Sequence, residues 1–136
     1  MTDQLADDYQ TDPGFDAAED HVGPFYWRQT DAGYESAFVP TENNCNVNGT
    51  VHGGILMTFA DFALCIAATD HYNEESCSTI SFSADFVAAA SLGTAITCTP
   101  SVTRRTGSMV FVTGSLVSAD TVVMTFSAVV KRLRNT

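Results

Sequence analysis

From Gly53 to Asp70 or His71 the chain is almost wholly apolar and long enough for a helix, and the body of that stretch carries a single charge, Asp61. A helix apolar on every face is buried on every side, so the rest of the chain must wrap around it. A carboxylate on such a helix needs a partner, a proton, or a wet functional cleft. The approach is the run Asn46-Val47-Asn48-Gly49-Thr50-Val51-His52-Gly53-Gly54. Its paired glycines let a ligand come close to the free N–H groups of the helix start, where the positive end of the helix dipole favours developing negative charge. A carbonyl-polarising helix start and a lone carboxylate two turns further on suggest a catalytic site. The plainer reading is an Asp held by a structural hydrogen bond at a subunit contact.

The remaining composition narrows the class. At 136 residues with 45% apolar content the chain holds one domain with one sheet-plus-helix core, and is not disordered. A net charge of −10 argues against nucleic acid, whose phosphates need clustered Lys and Arg. Seven of the 16 acids fall within residues 1–20, which contain no Lys or Arg, so that segment is expected as a solvated or loosely helical acidic tail, with the domain spanning 21–136. Five of the six basic residues, Arg104 and Arg105 among them, lie in the last third and offer a local patch to a polyanionic small molecule. Cys45, Cys65, Cys77 and Cys98 have no paired spacing, and Cys65 and Cys98 read as small core residues. His21, His52 and His71 have no metal-ligand spacing, so no metal is expected. With no basic-apolar leader and no apolar span of membrane length, the expectation is a soluble cytoplasmic protein that does not engage a membrane.

Along the chain, Tyr34 to Val39 alternates as a strand and stops at Pro40, and Thr41 to Thr50 is a polar loop. Beyond the helix, Cys77 to Val87 alternates, with Ile80, Phe82, Ala84 and Phe86 on one face and Thr79, Ser81, Ser83 and Asp85 on the other. Thr94 to Thr103, Ser108 to Val117 and Thr121 to Leu133 follow as further strands, with turns at Arg105-Thr106-Gly107 and Ser118-Ala119-Asp120. One strand, a long apolar helix and then four strands make an α+β chain, a single antiparallel sheet wrapped around a central helix.

The combination of Asn46, His52, Gly53 and Gly54, Asp61 seven residues past Gly54, and Thr79 on the next strand resembles the hotdog-fold acyl-CoA thioesterases of the phenylacetyl-CoA thioesterase-like group. The resemblance covers roughly Gly23 to Leu133. It implies a hotdog domain forming homodimers, often paired into homotetramers as a dimer of dimers, with active sites at the dimer interface and no cofactor. It also implies roles. The Gly53 N–H, with Gly54, would bind the thioester oxygen as an oxyanion hole does. Asn46 would contact the thioester or help place water. Asp61 of the other subunit would act as base or nucleophile, and Thr79 would position the water or the carboxylate. His52 would orient the loop or contact substrate. Apart from the resemblance, Arg104 and Arg105 read as a solvated turn or as contacts to the nucleotide end of coenzyme A. The chain departs from the pattern at Ser108, where a Lys or Arg is common after the glycine.

Thioester hydrolysis suits such a set, because a thiolate leaves readily and one base with one carbonyl polariser suffices. Two alternatives stay open: a non-catalytic acyl-CoA binding module, and a hotdog enoyl-CoA hydratase or dehydratase with His52 paired to an acid.

Overall fold

The computed structural model describes residues 4–134. In order it contains helix α1 (Ala17–Val22), strands β1 (Tyr26–Thr30) and β2 (Gly33–Phe38), helix α2 (Gly53–Thr69), and strands β3 (Glu75–Phe86), β4 (Ile96–Cys98), β5 (Ser101–Arg105), β6 (Met109–Ser118) and β7 (Thr121–Arg134). The strands form one antiparallel sheet in the order β1-β2-β4-β6-β7-β3, with β5 alongside β6. The sheet curls around α2, as the apolar helix requires.

Small residues on α2 let the sheet approach closely. Ala60, Ala63 and Ala68 are fully buried beside Phe59 and Leu64, against Phe38, Ile96, Val110, Leu116, Met124 and Val130. Phe25 packs on Phe38 and Phe59 with ring centroids 5.0 and 5.3 Å apart. Burying a side chain such as Phe59 contributes about 1.5–3 kcal/mol, so this stripe supplies much of the drive to fold. Gly114 is required by the same packing, since a Cβ there would lie 2.6 Å from the Phe126 ring.

Several sequence expectations shift. The strand foreseen over Thr94–Thr103 is two strands, interrupted at Thr99-Pro100 where proline supplies no N–H to the ladder. Strand β1, the hairpin partner of β2, was not foreseen, because Arg28 and Gln29 blur its alternation. The turn between β6 and β7 does fall at Ala119-Asp120, both at positive φ as a two-residue hairpin of this hand demands.

The segment expected as a solvated or loosely helical tail is helical from Ala17 and mostly exposed, and its residues 5–10 also form a strap. Leu5 and Tyr9 are buried against Ala37, Gln10 pairs through its backbone with Trp27, and the Gln4 side chain bonds Gly93 and Ala95. Asp8 pairs with Arg28 at 3.0 Å, and Asp12 accepts from the Trp27 indole at 2.9 Å. Two apolar residues among many acids gave little warning of this. Residues 1–3 of the expected tail, Asp3 among them, lie outside the described residues.

Candidate active site

Helix α2 begins at a backbone donor left free. His52 is its N-cap, and its Nδ1 accepts from the Gly54 N–H at 3.0 Å. The His52 carbonyl takes the Ile55 and Leu56 amides. Among the described residues the Gly53 N–H has no acceptor. It opens on a cleft of about 420 Å³ lined by Val51, Leu56, Phe86 and Val87 among others. A Cβ at Gly53 would sit 3.2 Å from the Phe86 ring, which would have to shift to admit it. Of the two glycines, only Gly53 therefore has an N–H to offer; that of Gly54 is committed to His52.

The loop before the helix is held by Asn46. Its Oδ1 accepts from the Asn48 and Thr50 amides at 2.9 and 3.3 Å, folding the chain back so that Val51 and His52 lead straight into α2. The Asn46 amide group is left exposed, and Val47 at the loop tip is fully solvent-exposed. Cys45, next to it, is half-buried, and burial pushes its thiol up, away from thiolate chemistry.

Two turns along α2, Asp61 lines a second cleft of about 350 Å³ with Met57, Thr58, Thr79 and Phe82. The Thr79 hydroxyl donates to Asp61 Oδ1 at 2.6 Å. The alternation of β3 in the sequence puts Thr79 on the face opposite Phe82, and the structure corrects this. A bulge between Thr79 and Ser81 pushes Ile80 out to 52% exposure and turns Thr79 and Phe82 to the same side, towards the helix. Cys65, read from the sequence as a core residue, also reaches this carboxylate. Its Sγ lies 3.7 Å from Asp61 Oδ1 and 3.7 Å from Thr79 Oγ1. The signal was available, since Cys65 stands four residues after Asp61 on the same helix face. A hydrogen bond with Cys77, burial and the Asp61 charge push the Cys65 thiol up, so it stays S–H.

The arginine pair separates. Arg105 donates to the Ala68 carbonyl at 2.7 Å and lies 3.8 Å from Glu75, so it caps the far end of α2. Glu75 is held below the usual carboxylate range by Arg132, which grips it at 2.8 Å. Arg104 is exposed and, among the described residues, has no carboxylate partner.

On one chain, then, a free donor and an oriented carboxylate share α2 at positions eight residues apart, roughly 12 Å along the axis. Large apolar side chains flank both and stay exposed: Met57, Ile80, Phe86 and Val87.

Comparison with known proteins gives this geometry a setting. Among solved structures the chain is similar to the PaaI protein of the E. coli phenylacetic acid degradation operon, with a TM-score of 0.79 at 18% identity over 90% of this chain and 88% of that one. It is also similar to zebrafish thioesterase superfamily member 2, with a TM-score of 0.74 at 21% identity over 90% and 88%. A third is a hypothetical thioesterase from Streptococcus pneumoniae solved with coenzyme A, with a TM-score of 0.73 at 13% identity over 82% and 91%. No curated protein matches the sequence. The sheet wrapped around one long helix is the hotdog fold of these thioesterase structures. The sequence profile of the thioesterase superfamily matches residues 48–125, from the Asn46 loop to the middle of β7, and the chain belongs to that superfamily.

Proposed function

We propose that this protein is an acyl-CoA thioesterase that hydrolyses the thioester to a free acid and coenzyme A. It works as a homodimer, or a homotetramer built as a dimer of dimers, with each site shared between two chains. The observation that carries this reading is the split between the free Gly53 N–H and the Thr79-held carboxylate of Asp61. Both belong to one helix, yet they lie too far apart to serve one carbonyl carbon. Two such helices placed side by side and antiparallel by a two-fold axis would set the start of one against the second turn of the other. The exposed Met57, Ile80, Phe86 and Val87 suit both that contact and an acyl chain. Superfamily membership supports the reaction class, and the neighbour solved with coenzyme A supports the carrier.

In this reading Asp61 of one protomer takes a proton from water, whose oxygen attacks the thioester carbon. The oxyanion that forms points at the Gly53 N–H of its partner, and the helix dipole adds to the stabilisation. Collapse breaks the C–S bond and releases the thiolate, and the proton held on Asp61 returns to it. Asn46 holds the loop that aims the helix start, and its exposed amide is a further donor for the thioester. Arg104, the free member of the arginine pair, suits a phosphate of coenzyme A. Neither a metal nor a cofactor is invoked. The four cysteines are free thiols, which suits a reducing compartment such as the cytoplasm. Among the described residues no helix is long and apolar enough to cross a membrane.

The hydratase alternative needs His52 paired with an acid, and among the described residues no carboxylate pairs with its ring, whose Nδ1 accepts from Gly54. Thiol release from a panel of acyl-CoAs tests the proposal. Asp61→Asn is expected to lower kcat by about 10²–10⁴-fold while ligand binding persists. Hydrolysis at the wild-type rate by that variant rejects Asp61 as the base. Binding without thiol release from any acyl-CoA points to a binding module, and hydration of an enoyl-CoA points to the hydratase.

A further inference from the structure

Asp61 and Cys65 lie one turn apart on the face of α2 that meets β3. Thr79 Oγ1 has one proton, and its 2.6 Å contact gives that proton to Asp61 Oδ1. The Cys65 sulfur sits 3.7 Å from both of these oxygens, within range for a sulfur donor, and completes a triangle behind the carboxylate. The thiol has three acceptors around it, Cys77, Asp61 Oδ1 and Thr79 Oγ1, and directed to either oxygen its proton strengthens the hold on the same carboxylate oxygen, because donors in a chain polarise one another. The sulfur is buried, so water does not compete for it. Among the described residues Asp61 Oδ2 has no donor, and the carboxylate lines the open cleft.

Building on the reading of Asp61 as the base, we propose that Cys65 is a positioning residue for hydrolysis. With Thr79 it pins Oδ1 and leaves Oδ2 as the oxygen that receives the proton from water. A carboxylate held at one oxygen cannot rotate away between turnovers, and the remaining oxygen keeps a fixed direction in the cleft. Cys65 itself never touches substrate.

The test is a set of variants measured for kcat and KM separately, with a thermal melt for each. Cys65→Ala is expected to lower kcat about threefold to tenfold, the worth of one modest hydrogen bond, with KM unchanged within about twofold. Cys65→Ser restores a donor and is expected to bring kcat back to within about twofold of wild type. In the Asp61→Asn background Cys65→Ala is expected to cause no further loss, since the group it positions is gone. Should Cys65→Ala fail to fold, Cys65→Val keeps the volume without the donor and takes its place in the same comparisons. A wild-type kcat in the variant lacking the donor overturns the proposal. So does a serine variant as slow as the alanine one, or an undiminished Cys65 effect in the Asp61→Asn background. Full activity of Asp61→Asn alone rejects the base assignment instead, which keeps the two failures apart.

Discussion

The C-terminal end of α2 has its polar groups paired, whereas at the N-terminal end, among the described residues, the Gly53 N–H is left without an acceptor. At the C-terminus Arg105 takes the Ala68 carbonyl, Arg132 and Arg105 share Glu75, and Tyr34 donates to Asp70 at 2.5 Å. Asp70, His71 and Tyr72 follow at positive φ, a conformation costly for residues with side chains. They are held there by the Trp27 ring, tilted against His71 with centroids 3.9 Å apart, and by Asp12 on the His71 imidazole. At the N-terminus the Gly53 N–H has no acceptor among the described residues and Asn46 is exposed, while Phe86 and Val87 show apolar surface to solvent. The proposed function places ligand and partner at the end left unfinished. Charge patterning alone points to the other end, because the basic residues gather at the paired one.

The largest effect expected from this contrast is at Gly53. Gly53→Pro deletes the free N–H while suiting the first position of a helix, and the preceding His52 already has the extended backbone, ψ 135°, that a following proline requires. The ring would crowd Phe86, an exposed side chain with room to turn away. Stability should change little, while kcat falls about 10²–10³-fold, the usual loss for an oxyanion donor. Hydrolysis by this variant at the wild-type rate would remove the N-terminal end from the chemistry.

Glu75→Gln at the opposite end should do the reverse, with kcat near neutral pH kept and stability reduced. Its pH dependence has a definite sign. Arg132 lowers the carboxyl of Glu75 from its ordinary 4.5 in the folded protein, so its stabilisation is complete above that value. It is then lost as the pH falls through the lower folded-state value. Urea unfolding across the acid range should show a shallower fall for Glu75→Gln than for wild type. Equal slopes would show that the clamp adds no stability.

Much of this was legible in the sequence, for physical reasons that differ by residue. The buried helix followed from apolarity, which acts within one element, and Asp61 and the paired glycines stand out on it by the same pattern. Thr79 was assigned to the wrong face because a bulge at Ile80 resets the alternation, and a single extra residue leaves no mark in composition. Arg105 stands beside Arg104 as a candidate for phosphate, and a sequence does not show that the carbonyl of Ala68 lies within its reach. The strap was hidden by the acids in and around it, whose partners Arg28, Trp27 and His71 come from distant parts of the chain. Cys65 was read by its burial alone, and its neighbour across the sheet supplies the second half of its environment.

Subunit complementation tests most directly the claim that the open half of one helix works with Asp61 of another. Asp61→Asn and Gly53→Pro chains, each inactive alone, are mixed under conditions that allow exchange, with mixed dimers verified by mass. If sites are shared, one site of each mixed dimer carries both lesions and the other carries neither. Activity should then return to about half of wild type per mixed dimer, by the two-fold symmetry of the contact. Persistent inactivity in verified mixed dimers would mean that each chain completes its own site, contradicting the account.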